Sequence, residues 1–299
     1  MMIWAGILLT GGICAMPQPQ NPAPSPGRQP SPAELVRLPV VYRFPGMDDV
    51  QVRSNIVYKR AGNEELMMDV YSPRGGGTAE KRPAVVFIHG GPIPKPPTLQ
   101  PKDWTDYICF GKLAAASGFV GVTFNHRFFG LDRLADAQGD IDALVDFIRG
   151  QASTLGIDEG RLAFWAFSGG GSFLSEAIRR PRDFVRCLLG FYSIMDLRPF
   201  RSQAPAGFNE DVLASFSPVV AIGETPGKVP PVFIGRAGLD NPVLNAGIDE
   251  FMGLALKKNI RLTVRNHPEG YHGFDVRNDD ATSRDIIREA FAFLKAHLI

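Results

Sequence analysis

The chain has 299 residues, enough for one large α/β domain or two smaller ones, and its 44% hydrophobic content permits a sizeable buried core. Lys and Arg total 32 against 31 Asp and Glu, a formal charge of +1, so the basic excess needed to bind a phosphate backbone is missing and nucleic acid is excluded as a principal partner. None of the three cysteines stands at metal-ligand spacing, which argues against a cysteine-bound metal.

Residues 1–15 hold a short apolar segment at 3–9 followed by small residues, the look of the core and cleavage region of a secretory signal peptide. The segment is too short to span a bilayer. No Lys or Arg precedes it, and Ile13 stands before Cys14 where a lipoprotein site takes a small residue. The expectation is a signal peptide and export, to the periplasm or the exterior. Residues 16–32 are rich in Pro, Gln, Ser and Asn, a composition that buries no core and suits an extended linker. One folded domain is expected over 33–299.

Alternating apolar residues at 51–58 and 66–71, around a turn at Ala61, Gly62 and Asn63, predict an antiparallel hairpin. The run 84–88 predicts a short buried strand that stops at His89, Gly90, Gly91 and Pro92; paired glycines there let the backbone approach a ligand with its N–H groups exposed. Residues 92–101 contain five prolines and read as a surface loop. A helix is expected over 104–117, closed by Gly118, then a buried strand over 119–125 leading into His126 and Arg127. Ile141, Leu144, Val145 and Ile148 share one face of a helix over 136–150.

The run Leu162, Ala163, Phe164, Trp165, Ala166, Phe167 predicts a buried strand that ends in Ser168, Gly169, Gly170 and Gly171, with a helix over 172–180 behind it. Further strands are expected at 185–194, 232–235 and 260–265, with helices over 245–258 and 282–298. Strands alternating with helices after an initial hairpin imply an α/β fold, a mostly parallel eight-stranded sheet with helices on both faces. Residues 93–102 and 198–216 read as loops that shape a pocket.

Ser168 is the chemical focus. A serine at the tip of a strained strand-to-helix turn is lifted clear of its neighbours only when they are small, and Ala166, Gly169 and Gly170 are small. The pattern matches the nucleophile elbow G-x-S-x-G with Ala166 in the first glycine position. The plain structural reading is a serine N-cap before a glycine turn. A working elbow also needs an acid and then a histidine farther along the chain, because a hydroxyl is a poor nucleophile until an oriented imidazole takes its proton. Asp240 follows the strand at 232–235 and His272 follows the last strand, both just past carboxyl ends where a parallel sheet places its ligands. Read singly, His272 could be a surface-loop histidine and Asp240 a turn residue ahead of Pro242. A second acid, Asp196, ends the preceding strand and competes with Asp240, although Arg198 beside it offers an ion-pair partner. His89 and His126 read as structural, His267 lies on the way to the last loop and His297 in the last helix; none pairs with a carboxylate or cysteine at metal spacing. No cofactor is expected. Cys109 and Cys187 read as buried free thiols, with a bridge between them left open in an exported protein.

From about residue 51 to the C-terminus the chain resembles the α/β-hydrolases of the esterase/lipase superfamily. The resemblance rests on His89-Gly90-Gly91, on Phe124-Asn125-His126-Arg127, on Gly156-Ile157-Asp158 leading through Arg161 into the elbow, and on Tyr271-His272-Gly273-Phe274-Asp275. It is most similar to the branch of small-acyl, acetyl xylan and feruloyl esterase-like proteins, with a likeness to dienelactone hydrolases in the His-Gly-Phe-Asp ending, although those use a cysteine nucleophile. The resemblance implies Ser168 as nucleophile, His272 as general base and then acid, Asp240 as the orienting acid, and the backbone N–H groups of Gly91 and Gly169 as oxyanion donors. Pro92 stands where a third loop glycine is common, so one N–H donor is lost. The implied activity is hydrolysis of short-chain carboxylic esters, including acetylated or feruloylated carbohydrate, through an acyl-enzyme. A peptidase or amidase on the same framework, and a non-catalytic binding module, are the alternatives. Oligomeric state is not legible.

Overall fold

A computed structural model describes residues 31–299 apart from 76–79 and 226–227, so the expected leader (1–15) and nearly all of the expected linker (16–32) lie outside the described residues. Eight strands form one sheet: β1 (Gln51–Ala61), β2 (Glu64–Ser72), β3 (Arg82–Ile88), β4 (Val120–Phe124), β5 (Ile157–Phe167), β6 (Val185–Phe191), β7 (Val232–Ala237) and β8 (Leu262–His267). Their order is β1-β2-β4-β3-β5-β6-β7-β8. β1 and β2 are antiparallel, β2 meets β4 antiparallel, and every later pairing is parallel.

The central strands are apolar on both faces because helices cover both, and side chains alternate between two cores as the pleat requires. Val85, Phe87, Ala163, Trp165 and Phe167 point to one side, where α1 (Thr105–Ala116) contributes Phe110 and Leu113 and the C-terminal helix contributes Ile287, Phe291 and Leu294. Ala84, Val86, Ile88, Leu162 and Phe164 point to the other. There they meet α2 (Leu134–Gly150), α3 (Leu174–Arg179), α4 (Pro218–Glu224) and α5 (Pro242–Lys257). The C-terminal side closes with a short α6 (Phe274–Arg277) and α7 (Ala281–Leu298).

Several boundaries depart from the sequence expectation, each for a local reason. β5 begins at Ile157 instead of 162, with an irregular register against β3 before Leu162. β6 ends at Phe191 instead of 194, because Tyr192 turns to φ +38° and the Ile194 amide leaves the sheet to bond the Ser168 carbonyl at 2.8 Å. The helix expected over 172–180 starts as a 3-10 segment at Ser168–Phe173, where the run of glycines has little α propensity, and becomes α3 only at Leu174. Asn241 caps α5 by accepting from the Val243 amide, so that helix starts at Pro242 and not at 245. The 198–216 stretch contains a 3-10 turn and a helical turn, Glu210–Ser215, and α4 follows it. Cys109 and Cys187 are both free, and burial pushes the Cys187 thiol up to about 12.

Candidate active site

The site lies at the carboxyl ends of β3, β5, β7 and β8. Ser168 directly follows β5 and sits at φ +51°, a left-handed backbone that a non-glycine residue adopts at a cost of about 1–3 kcal/mol. Neighbours fix it there: its carbonyl accepts from Ile194, and Ser172 Oγ donates to the Gly169 carbonyl at 2.9 Å. The β3 loop approaches so closely that a Cβ on Gly90 would lie 2.8 Å from Ser168 Cβ and 3.3 Å from its Oγ. A Cβ on Gly170 would meet the His89 carbonyl oxygen at 2.6 Å. Glycine is therefore required on both sides of this contact.

The structure brings Ser168, His272 and Asp240 together from three separate strand ends. His272 Nε2 lies 2.9 Å from Ser168 Oγ, and His272 Nδ1 lies 2.7 Å from Asp240 Oδ2. The imidazole is about one-third exposed at 35%, whereas the Asp240 side chain is buried at 3%. The two loops that carry them are tied to each other: Gly238 N–H donates to the His267 carbonyl at 2.8 Å and Leu239 N–H to the Gly270 carbonyl at 2.9 Å. Asn245 Nδ2 donates to the Ala237 carbonyl at 2.9 Å, bracing the acid loop from α5. Such a set can take a proton from a hydroxyl, hold the resulting imidazolium against a buried carboxylate, and return the proton to a leaving group.

Asp196, the competing acid, is placed elsewhere in bonding terms. Its Oδ1 accepts from Arg198 Nε at 2.9 Å and from the Arg198 amide at 3.0 Å, its Oδ2 accepts from Arg198 Nη2 at 2.9 Å, and Ser217 Oγ donates to it at 3.2 Å. Burial alone would raise this carboxyl; the Arg198 and Ser217 hydrogen bonds outweigh that and hold it below its ordinary value.

Gly91 and Gly169 adjoin each other across the elbow: a Cβ on Gly169 would lie 3.0 Å from the Gly91 nitrogen and 3.0 Å from the Phe128 ring. Gly169 is the second residue of its 3-10 segment, so its N–H has no acceptor within that segment. The direction of the Gly91 N–H is set by His89. The His89 ring donates from Nδ1 to the Gly90 carbonyl at 2.6 Å, and because N–H and C=O point oppositely in a trans peptide, this turns the Gly91 N–H the other way. His89 Nε2 accepts from the His126 amide at 3.3 Å, and the two rings stack at 3.6 Å and 12°. Burial lowers His89 to about 4 and His126 well below its ordinary value, so both rings are neutral at pH 7. Arg127, next along, makes a two-point pair with buried Asp140, Nε to Oδ2 and Nη2 to Oδ1 both at 2.8 Å, anchoring the segment that carries Phe128.

Sequence reasoning assigned no role to Phe128, Tyr192 or Asp275, which wall the site from behind. Tyr192 falls within the apolar run read as a strand, and Asp275 closes the His-Gly-Phe-Asp stretch that carries the resemblance, but neither signal assigns the side chain a role beside His272. Among the described residues no group of three or more His, Cys, Asp or Glu is placed to hold a metal ion, and no helix is long and apolar enough to cross a membrane.

Comparison with known proteins places this geometry in context. A family model, BD-FAE, matches residues 68–177, a span that includes the His89-Gly90-Gly91 loop and the Ser168 elbow but stops before Asp240 and His272. No curated protein matches the chain in sequence. Among solved structures, native esterase Est2 from the planctomycete Thermogutta terrifontis superposes with a TM-score of 0.68 at 22% identity, covering 88% of this chain and 96% of that one. Its butyrate-bound form gives 0.66 at 21% identity, over 84% of this chain and 95% of that one. The form phosphoramylated by tabun gives 0.67 at 21% identity, over 85% and 96%. The chain has the α/β-hydrolase fold of these esterases.

Proposed function

We propose that this α/β-hydrolase is a serine esterase that cleaves carboxylic esters with short acyl groups through an acyl-enzyme, with acetylated or feruloylated carbohydrate as its ester class. The observation that carries the reading is the unbroken line of hydrogen bonds from Ser168 Oγ through His272 to the buried Asp240 carboxylate. On this reading, Ser168 Oγ attacks the ester carbonyl carbon as His272 Nε2 takes its proton. The tetrahedral oxyanion is met by the N–H groups of Gly91 and Gly169. The C–O bond to the alcohol breaks, the imidazolium protonates that oxygen, and the acyl group remains on Ser168. Water then attacks with His272 as base, and the carboxylic acid and free Ser168 result.

Support for the substrate class is of two kinds. The similar Thermogutta terrifontis esterase is solved with butyrate bound, with propionate bound, and phosphorylated by paraoxon. The BD-FAE match covers the elbow and the facing glycine loop of this chain. The test is labelling of the purified chain with a fluorophosphonate probe, followed by a panel of p-nitrophenyl esters. Covalent labelling that is lost in Ser168→Ala, with acetate and butyrate turned over faster than palmitate, is the expected outcome. Unlabelled protein, or a Ser168→Ala variant with undiminished turnover, overturns the reading; a palmitate rate above the butyrate rate overturns the short-acyl part alone.

A further inference from the structure

On the serine-hydrolase reading above, His272 carries a positive charge in each transition state, and a second buried acid lies behind its ring. Asp275 in α6 is fully buried. Its Oδ1 accepts from the Tyr192 hydroxyl at 2.8 Å, while its Oδ2 has no hydrogen-bond partner among the described residues. The Tyr192 ring in turn lies 4.8 Å from the His272 ring, centroid to centroid, at 59°. Tyr192 is held at φ +38° by its amide bond to the Gly235 carbonyl, 2.8 Å, and by edge-on packing against Phe274 at 5.5 Å and 87°. A bulky residue at positive φ is costly and persists only where its surroundings over-determine it.

The charges around Asp275 are one-sided. From α1 it faces Asp106 and Tyr107, from the end of β6 Tyr192, and from the histidine loop His272. On the N-terminal side the Val41 amide donates to the Asp275 backbone carbonyl at 2.8 Å, with Tyr42 next to it and Arg288 beside Tyr42. On its own helix, Arg277 spends Nη1 on the His272 carbonyl at 3.1 Å and stacks over the Tyr271 ring, sensing Asp240 from there. Among the described residues no Lys or Arg pairs with Asp275 or Asp106. Burial pushes Asp275 up to about 6 in spite of the Tyr192 bond, and burial followed by the like charge of Asp275 holds Asp106 well above the ordinary carboxylate range. The cation that its charge can meet is the imidazolium formed at His272.

We propose that Asp275, acting through Tyr192, is a positioning residue for His272 that works beside Asp240: the Tyr192 ring fixes the tilt of the imidazole, and the carboxylate behind it supports the imidazolium. A buried charge with no permanent counter-ion is tolerated where a transient one forms close by.

The experiment is the pH–rate profile of the full chain on p-nitrophenyl acetate for wild type, Asp275→Asn and Tyr192→Phe, with circular dichroism to verify folding. Removing negative charge behind the imidazole disfavours its protonated form, so the acid limb of kcat/KM moves to lower pH in Asp275→Asn, by about half a unit to one unit. kcat falls about tenfold at pH 7 while KM stays within about twofold. Tyr192→Phe removes one oxygen and keeps the ring; by leaving Asp275 harder to ionise it moves the limb the same way by a smaller step, and it decides the question if Asp275→Asn does not fold. An acid limb that stays in place in the folded variants overturns the proposal even if kcat falls, because a purely packing role lowers the rate without moving the limb. Fluorophosphonate labelling of wild type separates the two levels: labelled enzyme with an unmoved limb sinks the Asp275 role alone, and unlabelled enzyme sinks the hydrolase reading and this role with it.

Discussion

Asp196 and Asp240 follow neighbouring parallel strands, β6 and β7, at the same edge of the sheet, and their side chains are almost equally buried at 9% and 3%. Their bonding differs completely. Asp196 has both oxygens on the Arg198 guanidinium, a permanent cation. Asp240 has one oxygen on the Asn241 amide at 2.7 Å and the other on His272 Nδ1, with no guanidinium or ammonium bonded to it among the described residues. A carboxylate whose charge is already met by arginine has little left for an imidazolium that appears only during reaction. Strand position therefore makes a candidate of both acids, and the missing counter-ion distinguishes one of them.

The largest effect that would break this comparison belongs to Asp240→Asn. The amide keeps the shape but removes the charge and offers the wrong hydrogen-bond pattern to Nδ1, so kcat on p-nitrophenyl acetate should fall about 10⁴-fold, judged from the equivalent change in serine proteases. The fold should be retained, and KM should change little. A loss of that size in Asp196→Asn, with Asp240→Asn near wild type, would exchange the two roles.

A smaller effect tests whether backbone direction matters as much as side-chain charge. His89→Leu removes the donor that holds the Gly90 carbonyl and so frees the Gly91 N–H to turn away from the oxyanion it is proposed to meet. The expected loss is about 10²–10³-fold in kcat, the size found when one oxyanion donor is removed. Because His89 is neutral at pH 7, the shape of the pH–rate profile between pH 6 and 8 should not change. A changed shape would mean that His89 itself titrates in catalysis.

These contrasts also mark what could be read from the residues alone. The buried strands were legible because β3, β4 and β5 are covered on both faces and so appear as short unbroken apolar runs, Ala84 to Ile88 and Leu162 to Phe167 among them. Ser168 stood out because small residues flank it, and the chain order of acid then histidine is a one-dimensional signal. The choice between Asp240 and Asp196 was only partly legible: Arg198 is adjacent in sequence and hinted at the ion pair, but the bond from Ser217 comes from a distant helix start. Tyr192 and Asp275 were illegible as a pair because the hydroxyl and the carboxyl that meet at 2.8 Å lie 83 positions apart. The end of β6 was misread for the same reason: Ile194 continues the apolar run, and it is a tertiary bond to Ser168 that pulls its amide out of the sheet.

The smallest effect on activity, and the sharpest on stability, concerns Asp196→Asn. Nothing in the proposed chemistry passes through Asp196, so kcat should stay within about threefold of wild type. Stability should fall, because an asparagine keeps one acceptor but turns an NH₂ group toward a guanidinium that is itself a donor. With Arg198 47% exposed, solvent screens part of the pair, and the loss at pH 7 is about 1–2 kcal/mol. The pH dependence follows from the direction of the shift. Asp196 is held below its ordinary carboxyl value in the folded chain, so the unfolded chain binds a proton first as the medium is acidified. The stabilisation is therefore complete above the unfolded carboxyl value of about 3.9 and is lost as pH falls below it. Asparagine does not titrate. Urea unfolding at pH 7, 5 and 3.5 should show a gap between wild type and Asp196→Asn that is constant from 7 to 5 and narrows at 3.5. A gap of the same size at all three would mean that the residue stabilises by packing and neutral hydrogen bonds, and the contrast with Asp240 would then rest on geometry instead of on which carboxylate has already been neutralised.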